Sequence, residues 1–353
     1  MSTVQTLAGG LAADVPARPR YDVVVVGGGA AGLSGALALT RARRSVLVVD
    51  SGRPRNAPAG HVHSYLTQEG VAPSQLLATG RAEVTRYGGE LVRGSVATAE
   101  RLADGRFRLV LDGGTAVEAD RLLVTTGLVD ELPPVPGLAE RWGREVLHCP
   151  YCHGWEVRDQ AIGLLATGPM AVHQALMWRQ WSDDVTLFLH TGPEPSEEEY
   201  EQLAARGIAV VDGRVTSVQV TDDRLSGVVL ESGHAIARQA LVVAPRFTAR
   251  ATFLAGLGLE PSEQEVNGVV IGTRIAADPT GATAVPGVWV AGNVANVTEQ
   301  VIGAAAAGVR AAAAVNADLT AQETRQAVER YRRDGLAAPV GAERRGHGAP
   351  AAR

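Results

Sequence analysis

Residues 21–32 read Tyr-Asp-Val-Val-Val-Val-Gly-Gly-Gly-Ala-Ala-Gly, and few folds accommodate that order. Four consecutive valines make a short β-branched run suited to a parallel strand buried on both faces. Glycines end it at once, and an Ala/Leu-rich helix follows to about Ala42. A second apolar strand, Ser45 to Val49, runs into Asp50, twenty-one residues after Gly29. Strand, Gly-rich turn, helix, strand and terminal carboxylate in this order are the signature of a dinucleotide-binding βαβ unit. Gly27 permits the tight turn, Gly29 lets the backbone approach a pyrophosphate, and Gly32 lets the helix pack close to the strand. The helix start offers free N–H groups and a positive dipole end. Asp50 can accept hydrogen bonds from both hydroxyls of an adenosine ribose. A lone Gly-x-Gly-x-x-Gly is weak; with its flanking elements in place it is strong.

The length of 353 residues suggests about two domains. Hydrophobic residues at 46% and charged ones at 20% exclude wholesale disorder. Further along, Leu122 to Gly127 reads as a buried strand with a Thr-Gly exit, and Leu132 to Gly137 as a Pro-stiffened connector. A second α/β pattern then begins, with strands at 161–166 and 185–189, helices at 170–181 and 197–206, and short strands from 209 to 244. Gly287 to Asn293 is a strand ending in a polar residue, before an Ala-rich helix over 300–316. Arg310 lies inside that helix, which therefore reads as closely packed and not as a membrane span. The fold class expected is α/β, with two Rossmann-like three-layer nucleotide-binding units.

A net charge of −5 argues against reliance on nucleic-acid backbone contacts. Two cysteines cannot make a secreted disulfide scaffold. Residues 1–20 carry no secretory pattern, Asp14, Pro16 and Pro19 interrupting them. A cytoplasmic protein with no membrane partner is expected, with residues 1–20 and the tail from about Gly335 loose.

Both cysteines fall in His148-Cys149-Pro150-Tyr151-Cys152-His153-Gly154-Trp155-Glu156. A C-x-x-C pair with Pro in the first helical turn places the first sulfur at a helix start, where thiolate is favoured. His148 and His153 can take a proton from an incoming thiol. That chemistry suits dithiol–disulfide exchange. The C-x-x-C-H pattern also matches haem attachment, but that needs export. Two Cys and two His are local enough for zinc, yet adjacent residues diverge, and structural zinc draws on two separate knuckles. No metal is expected.

The order of Gly-rich fingerprint, Thr-Gly exit strand, C-x-x-C opening a second nucleotide-fold unit, and closing Gly-Asn strand resembles the low-molecular-weight thioredoxin reductases, over roughly residues 21–320. The resemblance implies FAD and a discontinuous FAD domain (21–130 and 248–330) interrupted by an inserted domain (131–247), with 331–353 as a tail. It implies FAD contacts at Gly27, Gly29, Ala30, Ala31, Gly32, Asp50, Asn56, Val96, Gly127, Gly292, Asn293, Gln300 and Val301. By the same resemblance Cys152 faces the flavin and Cys149 exchanges with substrate, and a homodimer is expected. Those reductases usually have Asp where this chain has Asn293, and Asp directly after the second Cys where this chain has His153.

A reductase of this kind also needs a second fingerprint and arginines for NADPH. Here the fingerprint reads Ala166-Thr167-Gly168-Pro169-Met170-Ala171, and the segment His190 to Glu199 holds four glutamates and no arginine. Glutamates repel a 2′-phosphate. These departures, with His153, resemble the dithiol oxidases that close disulfides in small natural products such as gliotoxin and holomycin. The expected reaction is oxidation of a small-molecule dithiol through Cys149 and Cys152, with FAD passing electrons to O2 to give H2O2. The competing readings are an NAD(P)H-dependent or ferredoxin-fed reductase, and a non-catalytic redox sensor. The stretch Arg53 to His63 is expected along the cleft, with His61 and His63 outside the catalytic set.

Overall fold

The computed structural model describes residues 15–333. Of the segments expected to be loose, residues 1–14 of the first and the whole tail from about Gly335 lie outside them. The remainder of the first segment is tied down: Ala17 N–H donates to Glu90 at 3.3 Å, and the first strand begins at Arg20.

A seven-stranded sheet is built on β1 (Arg20–Val26), which lies between β2 (Val46–Asp50) and β6 (Ala116–Val124), parallel to both. Outside β2 stands β3 (Glu90–Arg93), and an antiparallel arm of β4 (Val96–Arg101) and β5 (Phe107–Leu111) extends from β6. Alternation along β1 divides the core. Val23 and Val25 pack under the helices α1 (Ala30–Arg41) and α2 (Pro73–Arg86). Val24 and Val26 pack with Phe107, Leu109 and Leu254 on the other face. A strand buried on both faces has no polar side, which is why β1 reads as continuous valine.

Five parallel strands made later in the chain form a second sheet. β7 (Leu128–Glu131) leaves the first sheet, and β8 (Val146–Leu147), β9 (Ile162–Leu165), β10 (Val185–Phe188), β11 (Ala209–Val211) and β15 (Ala240–Val243) form a second, wholly parallel sheet in the order β11-β10-β9-β15-β8. The strands β12 (Val215–Thr221), β13 (Arg224–Leu230) and β14 (Ala235–Ala237) cover one face of it. A helix over Ala171–Trp178 covers the other. The chain returns through β16 (Arg246–Ala249), which pairs antiparallel with β7 from Arg246↔Glu131 to Ala249↔Leu128. The segment Val288–Val290 then pairs with β6 of the first sheet. The architecture is thus two Rossmann-like α/β units, the second interrupting the first.

The last helix, Val301–Arg333, is twice the length expected from sequence, and the expected boundary at residue 330 falls inside it. Arg44 anchors the extension through Asn316 and Glu323. Its close packing has a plain cause. A Cβ on Gly308 would lie 2.0 Å from the Ala31 carbonyl oxygen, so only glycine lets this helix meet α1. Among the described residues, no helix is long and apolar enough to cross a membrane, and no cluster of three or more His, Cys, Asp or Glu could hold a metal.

Candidate active site

The Gly-rich turn does its work through close approaches. Gly27 has φ +106, a conformation side chains disfavour, and a Cβ there would meet the Thr125 carbonyl at 2.5 Å. A Cβ on Gly32 would fall 1.9 Å from the Gly27 carbonyl, so strand and helix touch at this point. Gly29 differs. Its backbone is ordinary (φ −78), and a Cβ there would point into open space. That space is one cavity of about 1600 Å³.

The cavity gathers almost every residue expected at the site. Gly27, Gly29, Ala30, Ala31, Asp50, Asn56, Val96 and Gly127 line one end. Gly292, Asn293, Gln300 and Val301 line it at the start of the last helix, whose first turn closes with Ala304 N–H on the Gln300 carbonyl. Of the fingerprint, Gly32 is buried in the helix–strand contact and does not reach the cavity. Asn293 spends its amide nitrogen on the carbonyls of Asn296, Val297 and Glu299, at 3.0–3.3 Å. Its oxygen is turned toward Arg55, at 3.5 Å. The residue therefore organises the loop before the helix and offers the cavity only an acceptor.

The same cavity is lined by Cys149 and Cys152, joined as a disulfide with Cα atoms 5.3 Å apart. Cys149 is the N-cap of Pro150–His153, as the Pro position predicts, but the helix is a single turn of four residues. A dipole that short supplies little thiolate stabilisation, so the helix-start argument from sequence is weaker than expected. What fixes the turn is packing. A Cβ on Gly154 would meet the Trp181 ring at 2.8 Å, and Tyr151 stands edge-on to that ring at 5.7 Å.

The two flanking histidines are unlike each other. His148 Nδ1 lies 3.2 Å from the Val243 carbonyl, which orients the ring and leaves Nε2 as acceptor, and the ring packs edge-on to Phe247. Burial pushes its pKa down, and Arg55 adds to this. His153 has neither ring nitrogen hydrogen-bonded, although both are shielded from water. Burial lowers its pKa too, with Glu156 opposing and His63 reinforcing the shift. Both are neutral imidazoles beside a disulfide, the state a proton acceptor requires.

Arg53 to His63 does run along the cavity. Arg55 holds Asp130 and stacks over Phe247 at 5.3 Å. His63 meets Glu69 through Nδ1 at 2.6 Å and Glu156 through Nε2 at 3.3 Å. Asp130, Glu156, Phe247, Met170 and Met177 line or border the site without any local sequence signal. The partners of Asp130, Glu156 and Phe247 lie far along the chain.

At the second fingerprint, a Cβ on Gly192 would lie 2.7 Å from the Ala166 Cβ, so the turn after β10 sits directly on Ala166. His190 has φ +46, and its Nδ1 accepts from Val215 N–H at 3.1 Å. Of the four glutamates, Glu199 closes a capping box with Ser196, and Glu194 bonds Tyr200. The acidic run is the start of the helix Glu197–Ala205, where negative charge is favoured.

Residues 21–308 match the family model for pyridine nucleotide-disulphide oxidoreductases. The chain is 32% identical to the thioredoxin reductase sirT of Leptosphaeria maculans over 314 residues, covering 84% of this chain and 93% of that protein. Among solved structures, HlmI superposes with a TM-score of 0.83 at 47% identity, over 89% of this chain and 96% of HlmI. An oxidoreductase from Agrobacterium tumefaciens superposes with a TM-score of 0.79 at 37% identity, over 85% and 99%. The cavity with its glycine cradle and sulfur pair therefore sits in a recognised setting: the chain belongs to the pyridine nucleotide-disulphide oxidoreductases, as a thioredoxin-reductase-like flavoprotein enzyme with a disulfide redox centre.

Proposed function

We propose that this protein is an FAD-dependent dithiol oxidase that closes an intramolecular disulfide in a small-molecule dithiol. The observation that carries the reading is the single cavity holding both the open face of Gly29 and the Cys149–Cys152 disulfide. The cradle fits a dinucleotide, because Gly29, with no protein neighbour, faces the cavity at the end that Asp50 also lines. Gly27, Ala30, Ala31, Asp50, Asn56, Val96, Gly127, Gly292, Asn293, Gln300 and Val301 would hold FAD. Gly32 supports them from behind. When bound, FAD supplies the acceptor for the electron pair of the reduced cysteines, and dioxygen takes that pair on as hydrogen peroxide.

The protein's own groups perform the thiol chemistry. One substrate thiol gives its proton to His153 or His148 and attacks Cys149, and Cys152 leaves as thiolate. The second substrate thiol, tethered to the first, attacks the mixed disulfide, so the product departs with its new S–S bond and both cysteines are reduced. Ala166 and Pro169 in the second fingerprint, and the lack of an arginine between His190 and Glu199, favour electrons arriving from a dithiol and not from a nicotinamide. The family resemblance supports a homodimer, which sedimentation at the mass of two chains checks.

Anaerobic mixing tests the reading. A small dithiol such as dithiothreitol is expected to bleach the flavin within seconds, while NADPH leaves it yellow over minutes. Rapid bleaching by NADPH at substoichiometric dithiol would reassign the protein as a reductase.

A further inference from the structure

His63 bridges two carboxylates from opposite sides of the cleft. Glu69 lies in its own loop and is mostly exposed, while Glu156 follows the redox motif in the second unit. Ser64 Oγ is 3.5 Å from the Tyr151 carbonyl, so the same loop touches the C-x-x-C turn a second time. Each ring nitrogen of His63 thus reaches one carboxylate, by a hydrogen bond to Glu69 and a longer contact to Glu156. Three residues before Glu156 in the sequence comes His153, with both nitrogens buried and unbonded. Glu156 and His63 are the charged groups that act on it.

The proton balance of a dithiol oxidation gives such a chain a purpose. Closing a dithiol releases two electrons and two protons. The electron pair leaves with one proton as a hydride equivalent, so one proton per turnover remains on the protein. It is used again when dioxygen becomes hydrogen peroxide, which takes up two. A base shielded from water gives up its proton only to a group that comes within hydrogen-bond reach, and the Glu156 carboxylate does so during turnover.

We propose that Glu156, His63 and Glu69 form the relay that carries the proton captured at His153 out to solvent and back. His153 is the group that meets the substrate thiol; the other three act through it. Burial disfavours a charged His153, which makes the captured proton easy to hand on. Glu69 is held below the usual carboxylate range by His63, which keeps it an acceptor at the solvent end.

This rests on the dithiol reading, and one experiment separates the two. The holoenzyme is mixed anaerobically with dithiothreitol in weak buffer. Disulfide product is quantified after acid quench, and proton release is followed with an indicator dye. In the unaltered protein the two run at one rate. In His63→Gln and Glu156→Gln, proton release is expected to lag behind disulfide formation by roughly ten- to a hundredfold, with added imidazole restoring it. Glu69→Gln, an exposed change that leaves the fold intact, is expected to show a smaller lag of the same kind. Equal rates of release and disulfide formation in all three variants would overturn the relay while leaving the oxidase reading standing. No disulfide product from the unaltered protein would overturn both.

Discussion

Arg55 grips Asp130 with two parallel hydrogen bonds, Nε to Oδ2 at 2.8 Å and Nη2 to Oδ1 at 2.6 Å. The two residues stand on either side of the cleft wall, and the Asp130 side chain is only 8% exposed. Bidentate geometry of this kind fixes direction as well as distance. Replacing Arg55 by Met leaves a shielded carboxylate unpaired and removes the cation over Phe247, against which His148 packs. A loss of about 2–4 kcal/mol is expected, read as a lower urea midpoint. Arg55→Lys should recover only part of it, since an ammonium cannot bond both oxygens in the same plane.

The glycine turn offers a cleaner separation of binding from folding. Gly29→Ala places a methyl in the cavity and nowhere else, so the melting temperature of flavin-free protein should stay unchanged. Flavin affinity should fall about ten- to a hundredfold, the equivalent of roughly 1–3 kcal/mol of overpacking. Gly32→Ala would press a methyl onto the Gly27 carbonyl and should lower the melting temperature whether or not flavin is present. Fluorescence titration of released and added flavin checks both.

Each sulfur has a different expected fate. Cys152→Ser should halt turnover by at least about 10³-fold, and its Cys149 thiol, offered the cyclic disulfide product, should open that S–S bond to a mixed disulfide, visible as a mass increase equal to the product. Cys149→Ser should halt it equally with no adduct. Adducts appearing on Cys152 would reverse the assigned roles.

The neutral imidazoles make a prediction about acid. Burial lowers the pKa of His148, with Arg55 lowering it further and Asp130 and the Val243 carbonyl opposing. Burial lowers His153, with Glu156 opposing and His63 reinforcing, and burial with Arg214 lowers His190. In the unfolded chain all three take up protons as pH falls through about 6.5; the folded protein does so later. The unfolded state therefore binds more protons over that window, and stability falls as pH drops from about 7 toward 5. Asp223, pushed down to about 2 by Arg144 and Arg141, loses its contribution only in much stronger acid. Urea midpoints at the two ends of the window should differ, and His148→Phe with His153→Gln should narrow the gap.

How much of this was legible in the sequence depended on distance along the chain. The run Val23–Val26 and its glycines announce strand, turn and helix within twelve residues, because both buried faces and the close approach are local demands. The C-x-x-C turn is equally local. The length of the last helix was not legible, since its continuation past 316 depends on Arg44 reaching it from the other end of the chain. Asp130 and Glu156 are ordinary acids in sequence; only the fold brings them to Arg55 and His63. The glutamates after β10 read as a charge barrier, yet two of them are occupied in capping a helix and bonding a tyrosine.

The pairing of Leu128–Glu131 with Arg246–Ala249 means that the polypeptide enters its second unit and leaves it along two adjacent strands, before rejoining the first sheet at Val288–Val290. Everything between is a closed excursion. Its surface can vary without rethreading a single strand of the parent sheet. A change anywhere on that detour leaves the parent sheet's own pairings, and the glycine turn at the end of β1, untouched.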